Sequence, residues 1–285
     1  MKNITISICK IDQIDQVMRY IHENWKADHI LSKHKELMDY QHYDRYLHRY
    51  NWVLALDGET LVGILGFIPE NRYDPLSKII HLAIWKSEIL GVGMMMLKFL
   101  KSLYPDSQIC AVGINDQVEK LYVALGYQTG ILDHLLFDGK FEPNPDIFQP
   151  RQIIYTNKYG YGQPFRKYKY VIRNNVVFVY RIITITGLRF LRIFDIFKVG
   201  NIKITDRPFQ EEGQIDFMDC FVGGIDKEPL LQIGFSDIPE GMICPTFTEP
   251  VIMSNLTIQY AHEPGNPVIM FKGHSDQDRI NLIEK

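Results

Sequence analysis

Several side chains able to support transfer of a group to a nucleophile lie around one glycine turn of the sequence. An apolar run from Ile79 to Trp85 reads as a buried strand, and Gly91-Val92-Gly93 then opens a helix running to about Leu103. That order presents the backbone N–H groups of Leu90, Gly91, Val92, Gly93 and Met94 at a helix N-terminus, where they can hold an anionic group. A second apolar run, Ile109 to Ile114, ends at Asn115. Tyr122 follows two turns along one face of a helix that closes at Gly126. His81 sits on the strand leading into the glycine turn, and His29 lies beside Trp25 and Asp28. A histidine near its unperturbed pKa of ~6.5 can act as a base at neutral pH. Each residue also has a purely structural reading. Tyr122 would be a core tyrosine, Asn115 a cap at a strand end, and His81 a buried, hydrogen-bonded histidine.

A Gly-x-Gly turn does not by itself name the anion. A dinucleotide site wants a third glycine and a later acidic residue, and a P-loop wants Lys and Ser or Thr where Met94-Met95 stand. Taken together, Glu88-Ile-Leu-Gly-Val-Gly, Asn115 and Leu121-Tyr122-Val-Ala-Leu-Gly-Tyr127 resemble the acyl-CoA site of the GNAT acetyltransferase superfamily. The family's loop begins with Gln or Arg, so Glu88 departs from it and sets a negative charge near the expected pyrophosphate. The resemblance covers roughly the first half of the chain. It implies that acetyl-CoA is bound by Leu90 to Met94, that Asn115 bonds the pantetheine arm or an ordered water, and that Tyr122 is the general acid beside the sulfur. It also implies that the base is His81 or His29.

The activity so implied is acetyl-CoA-dependent acylation of a small amine. Trp25 to Leu31, Leu82 to Trp85 and Asp276-Gln-Asp278-Arg279 resemble proteins of bacterial surface-polysaccharide biosynthesis, which implies an amino-sugar acceptor, in one version nucleotide-linked. Two alternatives stand beside it. Fem-like aminoacyl transferases pair two such folds and use charged tRNA, but they present a basic groove. A non-enzymatic sugar- or ligand-binding module would retain the fold with a decayed coenzyme site.

Composition narrows these choices. The chain has 285 residues and a formal net charge of −3, which gives no reason to expect nucleic acid. Four scattered cysteines lack the spacing of a zinc site or a disulfide framework. The N-terminus has no signal-peptide core. The apolar stretch from Val176 to Phe197 is broken by Arg181, Arg189, Arg192 and Asp195, so no membrane span is expected. A cytoplasmic protein is the expectation.

The elements that must position these residues read as α/β (α+β), in two GNAT-like lobes, each a mixed, mostly antiparallel sheet flanked by helices. Residues 1–137 form the expected acyl-CoA-binding domain. Residues 138–164, rich in proline and glycine, form the linker, and 165–285 a degenerate second lobe. In that lobe a three-strand meander is expected from Tyr168, turning at Asn174-Asn175 and Thr186-Gly187. Cys220 to Asp226 mirrors Cys110 to Asp116, and Leu230 to Phe235 mirrors Leu121 to Tyr127 after a two-residue deletion. Ile225 stands where Asn115 does, and no tyrosine matches Tyr122, so the second copy has lost the residues for chemistry. The ending, with His274, Asp276, Asp278 and Arg279, reads as a solvated turn.

Overall fold

The computed structural model describes residues 3–72, 74–138, 147–148, 150–151, 168–185, 187–200, 213–248, 251–252, 254 and 256–274. The chain forms two compact units. One holds Met1–Pro69 and Lys78–Ile109, the other Glu70–Ser77 and Cys110–Lys285.

In the first unit, β1 (Ile4–Ile8) is followed by α1 (Ile14–Tyr20), a π-helical turn (Ile21–Trp25), α2 (Ile30–Lys33) and α3 (Lys35–His42). Strands β2 (Trp52–Asp57), β3 (Thr60–Pro69) and β4 (Ile79–Ser87) then form an antiparallel sheet in the order β1-β2-β3-β4. The Asp57↔Thr60 pair closes the hairpin between β2 and β3, with Gly58 at φ +63°. Helix α4 (Val92–Leu103) buries Val92, Met96, Leu97 and Leu100. That spacing is one apolar stripe of a helix. At the heart of β2 the Trp52 ring is fully buried opposite Gly66, where a Cβ would come within 2.8 Å of a ring carbon.

The chain passes into the second unit along β5 (Gln108–Ile114). There α5 (Asp116–Ala124), β6 (Gln128–Ile131) and β7 (Asp133–Phe137) follow. Beyond them come β8 (Lys169–Arg173), β9 (Val176–Ile185), β10 (Leu188–Val199), β11 (Phe217–Gly223), α6 (Glu228–Leu231), β12 (Phe235–Asp237), β13 (Gln259–His262) and β14 (Met270–Phe271). Strand β13 lies antiparallel between β5 and β6. A larger sheet runs β8-β9-β10-β11-β7-β12, antiparallel except for the β10/β11 pair. The mixed, mostly antiparallel α/β architecture expected from the sequence is therefore present. Among the described residues no helix is long and apolar enough to cross a membrane.

The meander is found as read, with Asn174 and Asn175 both at positive φ. This is the two-residue turn whose twist suits a hairpin. The internal repeat also has a structural counterpart. Strand β5, α5, Gly126 and β6 are echoed by β11, α6, Gly234 and β12, both glycines having positive φ. The second helix is a single turn with proline near its start.

The units cut the chain differently from the sequence boundaries at 137 and 165. Strands β6 and β7 precede the segment 138–164 but pair with β13, β11 and β12, which follow it. Most of 138–164 lies outside the described residues, as does everything after His274. His274 itself is buried, not solvated, and its Nδ1 accepts from the Phe271 N–H.

Strand alternation divides the large sheet into two chemically different faces. Leu135, Phe137, Leu191, Ile193, Cys220 and Val222 belong to the apolar core. Their neighbours, Arg192 on β10, Asp219 on β11 and His134 on β7, are polar and hydrogen-bonded to one another.

Two stability effects follow. Gly66→Ala forces a methyl onto a rigid buried ring and should cost about 1–3 kcal/mol, read from the denaturant midpoint. Arg192→Leu strands the Asp219 charge in the interior and should cost about 3–5 kcal/mol. Unchanged midpoints would contradict both packing assignments.

Candidate active site

The glycine turn is built by the end of β4. Ser87 Oγ donates to the Ile89 carbonyl (2.7 Å), and the Glu88 N–H donates to the Val62 carbonyl (3.0 Å). Gly91 caps α4 at φ +83°, a left-handed conformation that glycine adopts without a Cβ penalty. The Val92 N–H donates to Ile89 O, and the Met95 N–H to Gly91 O. The amides of Leu90, Gly91, Gly93 and Met94 have no hydrogen-bond partner among the described residues. Leu90 is fully exposed, so the amides face an open surface, and the helix dipole adds positive potential there. At Gly93 a Cβ would lie 3.0 Å from the Trp85 indole nitrogen, so glycine lets the strand approach the helix start closely. The backbone therefore suits an anionic group.

Two side chains modify this cradle. Glu88 is exposed beside the turn and opposes a bound anion. Tyr20, on α1, is buried with a hydroxyl that has no hydrogen-bond partner among the described residues. Burial, and then the Glu88 charge, pushes its phenol well above the ordinary range. The sequence reading missed Tyr20. It occurs on a helix remote in sequence from the turn.

The other expected residues take structural positions. His29 is buried and caps α2, its Nδ1 accepting the Leu31 N–H at 3.3 Å. An Nδ1 that accepts places the imidazole proton on Nε2, and a base at Nδ1 would have to give up the cap. His81 is buried within β4, across from Ile68 on β3. Both are interior histidines, which for His81 is the structural reading given above. Trp52 is core, whereas Trp25 keeps 47% of its surface exposed.

In the second unit Asn115 is the N-cap of α5, its Oδ1 accepting the Val118 N–H at 3.0 Å. The cap reading of Asn115 holds, and the amide oxygen is already engaged. Tyr122 takes the core position of its structural reading. Only 1% of it is exposed, and its ring packs on Tyr127 with centroids 4.9 Å apart. Burial, with a smaller contribution from Cys110, drives its phenol far above a tyrosine's usual value. Burial therefore favours the neutral phenol at this position. The seven-residue spacing fixed which residues share a helix face but not which face is inward. The exposure of Val123 and Leu125 shows that Tyr122 points in.

No protein-family model and no curated protein matches the sequence. Solved structures do match. A GCN5-related N-acetyltransferase from Anabaena variabilis superposes with a TM-score of 0.52 at 10% identity, over 91% of this chain and 72% of that one. Another from Kribbella flavida gives 0.52 at 8% identity, over 91% and 70%. The chain also spans half the length of a Pyrococcus horikoshii chain described as a candidate acetyltransferase, at 12% identity and a TM-score of 0.36, too loose a likeness to bear on the fold. Across most of its length, this chain has the fold of the GCN5-related N-acetyltransferases.

Proposed function

We propose that the protein binds acetyl-CoA at the β4–α4 turn and transfers its acetyl group to a small amine. The observation that supports this reading is the set of open amides at Leu90, Gly91, Gly93 and Met94 on a fold that acetyltransferases share. Gly91 would admit the diphosphate closely, and the buried stripe of α4 would hold the helix start rigid beneath it. When bound, the coenzyme supplies a thioester carbonyl open to attack by a neutral amine. The acceptor is proposed to be an amino sugar, free or nucleotide-linked, as in surface-polysaccharide biosynthesis. The half-exposed Trp25 offers an apolar face suited to such a ring. This reading also places the protein in the cytoplasm, where acetyl-CoA is made and used.

A second reading is a coenzyme- or sugar-binding module without turnover. The burial of Tyr122 and the carboxylate of Glu88 favour it.

Four measurements bear on the readings. Acetyl-CoA at a hundred times its dissociation constant should raise unfolding free energy by ~2.7 kcal/mol, and no shift at millimolar ligand would remove both coenzyme readings. Release of free thiol across a panel of amino sugars distinguishes transfer from binding alone. Glu88→Gln should tighten coenzyme binding a few-fold by removing a like charge, and weaker binding would mean that Glu88 contacts something else. Tyr122→Phe should leave turnover near wild type. A large loss of turnover with unchanged coenzyme affinity would restore the acid role that its burial opposes.

A further inference from the structure

The polar face of the large sheet carries a linked set of groups that the acetyltransferase reading does not use. Asp219 is fully buried and clamped by Arg192, with Nε on Oδ1 at 2.9 Å and Nη2 on Oδ2 at 2.5 Å. The guanidinium also donates to the Pro245 and Thr246 carbonyls, and it lies between the rings of Phe190 and Phe221. Burial alone would push the Asp219 carboxyl upward, but the Arg192 charge and hydrogen bonds outweigh it and keep the group ionised. An ionised carboxylate only accepts hydrogen bonds. His134 Nε2, 2.8 Å from Oδ2, must therefore carry the ring proton.

That assignment leaves Nδ1 as a bare lone pair. Among the described residues it makes no hydrogen bond, and it is not among the buried atoms without a partner. The His134 side chain is 12% exposed where Asp219 is 0%, so the imidazole is where the network reaches solvent. The ring is held flat on Phe221, its cross-strand partner, with centroids 3.7 Å apart and planes 18° apart. The charged groups acting on it are Asp219 on β11, Arg192 on β10 and Lys272 just after β14. Burial leads, and with the two cations it outweighs Asp219 and keeps the imidazole neutral. If only a donor to Asp219 were needed, an amide or hydroxyl would serve. A histidine adds an oriented acceptor on its far side, the arrangement by which a carboxylate fixes a catalytic imidazole's tautomer.

We propose that His134 is a proton-accepting site of the second unit, taking at Nδ1 a ligand that presents an N–H or O–H group, of the amine or alcohol class. On transfer from an ammonium ligand, its N–H bond breaks and the electron pair stays on nitrogen, leaving the neutral amine. An Nδ1–H bond forms, and the resulting imidazolium is held against Asp219. An alcohol only donates a hydrogen bond to Nδ1. Neither oxidant nor metal enters the step. The site stands independently of coenzyme binding.

The test uses the full chain with 15N-labelled histidine, its resonances assigned with His134→Gln. The expected long-range 1H–15N spectrum shows His134 as the Nε2–H tautomer at neutral pH, with a protonation midpoint below the ~6.5 of a free imidazole. Titration with D-glucosamine, which carries both donor types, should move the His134 ring signals saturably. The opposite tautomer, or an imidazolium at neutral pH, overturns the site. Ring signals that stay still under glucosamine overturn the ligand class. None of these readouts needs acetyl-CoA, so failure of the coenzyme reading is seen separately.

Discussion

An α-helix cannot satisfy its own first-turn amides, and the account of this protein depends on where those of α4 are left. Among the described residues no side chain caps them, and Leu90 and Gly91 are exposed. Gly91 turns the chain so that they face outward, while Val92 and Met96 fix the helix to the sheet beneath. Open to solvent, such donors bond water, which an anion can displace. The exposed Glu88 works against this. The cradle thus combines a favourable backbone with an unfavourable side chain, and the balance decides affinity without altering the fold.

Local structure was largely legible in the sequence because it is set by local physics. The run from Ile79, the Gly-x-Gly turn and the apolar stripe of α4 lie where period and glycine placement put them. The Asn174-Asn175 turn and the echo of β5–α5 in β11–α6 were likewise readable, since each needs residues close together in the chain. Burial of particular side chains was not. Tyr122 and His29 have types and spacing that suit chemistry. Their roles depend on which helix face meets the sheet, and on whether a nearby N–H already occupies the nitrogen.

Long-range pairing was the second hidden quantity. That β13 lies between β5 and β6, and β7 between β11 and β12, could not be seen from strand patterns, which do not name partners. The Arg192–Asp219–His134 set follows from this pairing. Each residue interrupts an apolar strand and looks isolated in sequence. Only the β10/β11 and β11/β7 registers bring the three together. A charge within an apolar run is thus a signal to seek its partner on another strand, because a buried charge without one is strongly unfavourable.

The central claim concerns backbone amides, so the most direct measurement observes them. Backbone 1H–15N spectra of the full chain, recorded while coenzyme A is added, should show the largest perturbations at Leu90, Gly91, Gly93 and Met94. Perturbations that leave these four unmoved while others shift, or a spectrum unchanged at saturating coenzyme, would contradict the account.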